Sequence, residues 1–221
     1  MSENKTLKRI ENYIFDLDGT LINTGNFILT SLKMSFDAVG INIDASKIHK
    51  RIIGPPLETM IKSLDETISD DSVSRVVDAM RRIQLELPES EYPSFEGVLS
   101  VVQQLKNNNK RLFVATNRGK MTVSKILKAN GLYELFDDIY TIDKYDDRKL
   151  SKSQMIQEIM YKYGLDRLST VMVGDTEEDL NGAKSVGCDF IGVSWGYAVD
   201  KHKFEQDSKY YVTAANQIIL P

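Results

Sequence analysis

Apolar and polar positions recur along this chain with two different periods, and the change between them divides it. Tyr13–Phe15 is an unbroken apolar run that predicts a short, buried strand. From residue 24 to residue 87 no strand pattern follows. Ile28, Leu32, Phe36 and Val39 fall at helical spacing, and Gly40 stops that helix. Asp44 suits the N-cap of a short helix through Ile48, and Gly54-Pro55-Pro56 breaks the chain before a second helix, Leu57–Leu64. Asp70 and Asp71 carry negative charge where a helix start favours it. Val73, Val76, Val77, Met80, Ile83 and Leu87 then share one apolar face. Pro88, Glu89-Ser90-Glu91 and Pro93 mark the way out.

From Phe95 onward, helix and strand alternate. Val98, Val101, Val102 and Leu105 give a helical face. Strands are expected at Arg111–Ala115, Ile139–Ile142, Thr170–Val173 and Phe190–Val193. Helices are expected at Met121–Ala129, Lys152–Tyr163 and Glu178–Ser185. Such βα alternation predicts an α/β fold with a doubly wound parallel sheet. On this reading residues 1–21 and 91–221 form the core domain. Residues 22–90 form a helical cap domain inserted just after the first strand, where it could cover the ligand end of the sheet.

Composition narrows the possibilities. The chain has 221 residues, 42% hydrophobic and 27% charged, enough to bury a sizeable core. Its net charge of -4 comes without a basic block, which argues against a nucleic-acid partner. A single cysteine, Cys188, rules out an internal disulfide and fits a reducing compartment. Met1–Glu11 lacks an apolar signal core, and no stretch approaches the ~20 apolar residues of a membrane span. A cytoplasmic protein with no membrane partner is expected, a monomer or weak homodimer.

Chemistry gathers where strands end. Asp16 and Asp18 follow the first strand, and Gly19 lets the chain turn sharply. In an open parallel sheet, ligands collect outside the carboxyl ends of the strands. Carboxylates this close repel each other, and a divalent cation removes the penalty. Thr116-Asn117 ends a second strand and offers a hydroxyl and an N–H to phosphate oxygens. Lys152 opens a helix near the same edge, with Lys149 three residues earlier as the alternative. Asp175 follows a further strand, and Asp179 lies one helical turn beyond it. Asp-Gly turns, helix caps and solvated lysines account for each stretch taken alone. They do not account for four acids facing one cleft.

Phe15-Asp16-Leu17-Asp18-Gly19-Thr20-Leu21, Thr116-Asn117, Lys152 and Gly174-Asp175-Thr176-Glu177-Glu178-Asp179 resemble, in order, the four motifs of the haloacid dehalogenase superfamily. Many relatives have Lys-Pro at the third motif, where this chain has Lys152-Ser153. The resemblance implies a phosphatase in which Asp16 is the nucleophile and Asp18 the general acid/base. It implies Mg²⁺ held by Asp16, the backbone carbonyl of Asp18, Asp175 and Asp179. Thr116, Asn117 and Lys152 would bind the transferring phosphoryl group. The position of the insertion, Gly54-Pro55-Pro56-Leu57, and Gly192–Tyr197 resemble the phosphoglycolate phosphatase-like branch with a helical cap. A small phosphorylated metabolite is then the expected substrate. Nucleotidase or pyrophosphatase activity is the alternative within that branch, and a sugar phosphomutase the alternative beside it. A non-catalytic binding module fits less well, since it needs none of these acids. Arg51 is a candidate cap contact, whereas His49 and His202 are not required.

Overall fold

The computed structural model describes residues 10–198 and 200–220, and every candidate site residue lies within them. Six parallel strands form one sheet: β1 (Asn12–Phe15), β2 (Arg111–Thr116), β3 (Asp138–Thr141), β4 (Thr170–Gly174), β5 (Asp189–Val193) and β6 (Tyr210–Val212). Their spatial order is β3-β2-β1-β4-β5-β6. The chain runs outward from β1 through β2 to β3, then crosses back to β4 on the other side. β1 is therefore at the point where the winding reverses, which in such sheets opens a crevice at the strand carboxyl ends. Phe15 pairs with Val114 on one side and Val173 on the other. The residues just past β1, β2 and β4 consequently end at one level.

The period of two along β1 decides how its faces are used. Tyr13 and Phe15 enter one apolar cluster, with Leu112, Val114, Val171 and Val173. Ile14 points the other way, to Phe113, Met172, Ile156, Ile159 and Leu180. Each side chain of β1 is buried. At roughly 1.5–3 kcal/mol for each large apolar side chain removed from water, this strand anchors both layers.

Three α-helices make up most of the segment that follows β1 in the chain: α1 (Gly25–Val39), α2 (Leu57–Leu64) and α3 (Asp70–Glu86). α1 and α3 pack along each other. The remaining helices, α4 (Val98–Asn107), α5 (Lys120–Ala129), α6 (Lys152–Tyr163), α7 (Glu177–Val186) and α8 (Lys201–Asp207), follow in turn. No helix among the described residues is long and apolar enough to cross a membrane.

Most elements fall within a residue or two of expectation, and three points differ. The segment after Asp44 is a single 3₁₀ turn over Ala45–Lys47, with Asp44 capping the Ser46 N–H. On α3 the buried face takes in Gln84, while Ile83 is only half-buried. Finally, α8 and β6 were not foreseen. β6 is three residues long, too short to show a period, although Tyr210-Tyr211-Val212 has the aromatic and β-branched character of a strand.

Candidate active site

The β1 ladder delivers Asp16 to the crevice. Its N–H donates to the Val173 carbonyl, so the strand pairing continues one residue past β1. Asp16 is buried, at 7% exposure, at the carboxyl edge of the sheet. Lys152 reaches it from the first turn of α6. That helix start is fixed by a capping box, in which the Ser151 hydroxyl accepts from Gln154 N–H and the Gln154 side chain accepts from Ser151 N–H. The Lys152 ammonium donates to Asp16 Oδ1 at 2.5 Å and to the Ala115 carbonyl at 2.8 Å. It also lies 2.9 Å from Asp179 Oδ1. Lys149, by contrast, is exposed and pairs with Glu58 on α2.

The loop after β4 supplies the other two acids. Asp175 is fully buried and accepts from the Thr20 hydroxyl at 2.9 Å and from Tyr197 N–H at 2.7 Å. The turn at Gly19 lies so close to Asp175 that a Cβ there would overlap its carboxylate. Asp179 divides its oxygens between two tasks. Oδ2 caps α7 by accepting from Thr176 N–H and hydroxyl, while Oδ1 pairs with the Lys152 ammonium at 2.9 Å. The cap that would explain this residue alone thus leaves its second oxygen to the cluster.

One carboxylate oxygen from each of Asp16, Asp175 and Asp179 lies within 4.8 Å of the others. Three buried acids face one ammonium, and the titration of Asp16 and Asp175 reflects it. Burial raises the Asp16 carboxyl to about 7, with Asp179 and Asp18 adding to the effect and Lys152 opposing it. Burial, then Asp16 and Asp179, likewise hold Asp175 well above the usual carboxylate range. Lys152 is raised: burial pulls its ammonium down, but the Asp16 and Asp179 carboxylates more than reverse this. An all-oxygen cluster of three buried carboxylates fits a hard divalent cation.

Asp18 is not part of that group. Its carboxylate is held by Arg118, whose Nε lies 2.9 Å from Oδ2 and 3.1 Å from Oδ1, and whose Nη2 lies 2.8 Å from Oδ1. If Asp18 contributes to a cation, its main-chain carbonyl is the available group. Thr116 is buried at the end of β2, where its hydroxyl accepts from Arg118 N–H. Asn117 donates to the Gly54 carbonyl at 3.1 Å and to the Glu178 carboxylate. Asp16, Asp18, Thr116, Asn117, Lys152 and Thr176 all line one cavity of about 110 Å³. Ile28, Ile53, Leu57 and Met60 from the helical segment form its other wall. Arg51 is not among the lining residues, whereas Arg81 and Gln84 of α3 are.

Arg118, Gln84 and Arg81 were missed from the sequence. Arg118 meets Asp18 from 100 positions away and Gln84 from 34, distances that no local pattern spans. Gln84 did leave a signal: it lies four residues after Met80, so it is a polar side chain on the apolar stripe of α3.

A crevice at the winding reversal of a parallel sheet, with an acid cluster, a buried lysine and strand-end polar groups, defines a hydrolase of the phosphatase type. The chain belongs to the haloacid dehalogenase-like hydrolase family, which it matches over residues 13–193. It is 32% identical over 190 residues to the pyrophosphatase PpaX of Halalkalibacterium halodurans, covering 86% of this chain and 85% of that protein. Among solved structures, a haloacid dehalogenase-like hydrolase from Streptococcus pneumoniae superposes with a TM-score of 0.81 at 23% identity, covering 95% of this chain and 97% of the other. A crystal structure from Clostridium acetobutylicum, described as a predicted phosphatase, gives 0.83 at 25% identity, covering 96% and 97%.

Proposed function

We propose that the protein is a Mg²⁺-dependent phosphomonoesterase for a small phosphorylated metabolite of the phosphoglycolate kind, working through an aspartyl-phosphate. The observation that carries this reading is the Lys152 ammonium seated between Asp16 and Asp179 at the floor of the cavity. A cation fixed beside the nucleophile neutralises both it and an incoming phosphoryl group, and such neutralisation supplies much of the rate in phosphoryl transfer.

Asp16 Oδ attacks phosphorus while the bond to the leaving oxygen breaks, and Asp18 gives that oxygen a proton. Asp18 then takes a proton from water as the water oxygen attacks phosphorus. The bond to Asp16 breaks, phosphate leaves and the carboxylate is restored. Thr116, Asn117 and Lys152 hold the phosphoryl oxygens throughout. Asp16, Asp175, Asp179 and the Asp18 carbonyl would hold Mg²⁺, which would supply further charge neutralisation. Residues 22–90 act as a cap over this site.

The apolar wall of Ile28, Ile53, Leu57 and Met60 supports a leaving group that contains carbon. A second reading, hydrolysis of inorganic pyrophosphate, is supported by the likeness to PpaX. Purified protein assayed with phosphoglycolate, pyrophosphate and a hexose 1-phosphate decides between them. Higher kcat/KM on phosphoglycolate, lost in chelator and restored by Mg²⁺, is the expected result. Higher kcat/KM on pyrophosphate would transfer the assignment to the second reading. Conversion of the hexose 1-phosphate to another phosphosugar would identify a mutase.

A further inference from the structure

The Arg118 guanidinium commits three of its five N–H donors to two side chains. Its Nε and Nη2 face both oxygens of Asp18. Its Nη1 donates to Gln84 Oε1 at 2.7 Å, and its plane lies over the Phe27 ring of α1, 5.4 Å from the centroid. Gln84 is buried and donates in turn to the Ser31 hydroxyl of α1 at 3.0 Å. Ser31 donates to the Ile28 carbonyl. A chain of polar contacts therefore runs from the acid after β1, through the loop after β2, into α3 and α1. Arg118 is 8% exposed and Gln84 3%, so these bonds are shielded from water.

With its Nε/Nη2 edge on Asp18, this guanidinium could take a substrate oxygen bidentately on that edge only by releasing Asp18. What it does well is fix a carboxylate. Two donors on two oxygens set the rotation of the carboxylate plane, which a single bond leaves free. The Asp18 side chain keeps 18% of its surface open toward the cavity. It is thus held without being closed off.

We propose that Arg118 is a positioning residue that orients the Asp18 carboxylate for proton transfer, and does so fully only while Gln84 of α3 is seated against it. The proposal rests on the phosphatase reading above, with Asp18 as acid and base. It makes the helical segment part of the catalytic geometry: when α3 moves away, the guanidinium loses one of its fixed points. Substrate release and proton transfer then belong to different arrangements of α3.

The test uses p-nitrophenyl phosphate, whose leaving group departs without a proton donor, so that loss of Asp18 alignment is felt mainly at hydrolysis of the phosphoenzyme. Arg118→Met is expected to lower kcat about 10- to 100-fold, as loss of an orienting partner commonly does, with KM little changed. Acid quenching of the steady state should trap more aspartyl-phosphate in the variant than in the wild type. Arg118→Lys should recover part of the loss. Gln84→Leu should lower kcat several-fold, yet add nothing in the Arg118→Met background, because the two act through one contact. A raised KM with unchanged kcat would overturn the proposal and make Arg118 a substrate ligand. Strictly additive effects of Gln84→Leu would also overturn it. If Arg118→Met fails to fold, Arg118→Lys paired with Gln84→Leu gives the same cycle. An active wild type from which no phosphoenzyme can be trapped, with activity surviving Asp16→Asn, would remove the underlying mechanism. Normal turnover of Arg118→Met beside a trapped wild-type intermediate removes only the proposal.

Discussion

Two lysines three residues apart show how burial, rather than residue type, decides what a side chain is worth. Lys149 pairs with Glu58 in the open, its side chain 57% exposed, and such surface pairs contribute about 0–1 kcal/mol. Lys152 is 5% exposed at its side chain and faces two buried carboxylates. Removing it leaves those acids uncompensated, a loss of about 3–5 kcal/mol in comparable buried pairs. Lys152→Met is therefore expected to lower the melting temperature sharply and abolish turnover, whereas Lys149→Met leaves both nearly unchanged. Added Mg²⁺ should recover part of the stability of Lys152→Met but none of its activity. Thermal scans and a phosphatase assay on both variants check this; equal effects of the two substitutions would contradict it. The sequence favours Lys152, which lies one turn before the packed face of Met155, Ile156 and Ile159, and keeps Lys149 as the alternative. Their difference arises from the Asp16 and Asp179 contacts, which exist only once β1, α6 and α7 have come together. The acids were easier to read, because each directly follows an apolar run or opens a helix. Arg118 was not legible at all: its partners are remote, and an arginine after a strand end looks like any solvated cation.

At the scale of elements, the turn between the first helices and α2 is held by backbone geometry and a tight fit. Gly54 has φ +133°, a region side-chain-bearing residues rarely adopt, and a Cβ there would come within 3.1 Å of the Thr176 methyl. Its carbonyl accepts from Asn117. Gly54→Ala is expected to cost on the order of 1–3 kcal/mol of strain, or else to lift the turn off the site and raise KM. Circular dichroism melts and steady-state kinetics distinguish these routes, and neither change appearing would count against the fit. β3 offers a separate test by pH. Asp138 is lowered to about 2: burial opposes this, but hydrogen bonds from Lys144 and Lys162 and from Ile139 N–H outweigh it. A carboxyl whose folded value lies below its unfolded value of ~3.9 stabilises the fold above that value. The contribution is lost as pH falls through about 2. Asp138→Asn should therefore lower stability near neutral pH and converge with the wild type at pH near 2 in denaturant titrations. A gap that stays constant across that range would show that the ion pairs are idle. The strands themselves were legible because apolar runs of four to six residues bounded by Gly or polar groups mark buried parallel strands. β6 was not, since three residues carry no period.

For the molecule as a whole, the question is whether residues 22–90 move as a body. The two connections are tied to each other: Asn23 N–H donates to the Pro93 carbonyl, and Ile22 bridges Ser94. A paired hinge of this kind restricts the segment to rotation about one line rather than independent drift of its ends. Many of the contacts facing the sheet across the seam are polar and separate. Asn117 meets Gly54, Arg118 meets Gln84, and the Lys125 ammonium donates to the Leu85 and Leu87 carbonyls at 2.6 and 2.9 Å. The neutral Asn117 bond nets about 0.5–1.5 kcal/mol, and those from the charged Arg118 and Lys125 about 1.5–3 kcal/mol. Within the segment, α1 and α3 pack along each other, and Leu32, Phe36, Val73, Val76 and Val77 are buried in an apolar cluster that continues to Phe15 and Val114 of the sheet. On the proposal that the segment moves, the arrangement with the Gly54 turn against Thr176 and Asn117 would be the closed one. Spin labels on the exposed faces of α3 and α5 should report a longer mean distance in the ligand-free protein, collapsing to a single short distance with a phosphate analogue and Mg²⁺. Arg81, at the cavity rim, would then meet the leaving group only on closure. Arg81→Ala is expected to reorder substrate preference among phosphorylated metabolites while leaving p-nitrophenyl phosphate hydrolysis nearly unchanged. One distance distribution under all conditions, together with an unaltered substrate ranking, would mean that the helices form a fixed wall and that selectivity comes from the loops after β2 and β4.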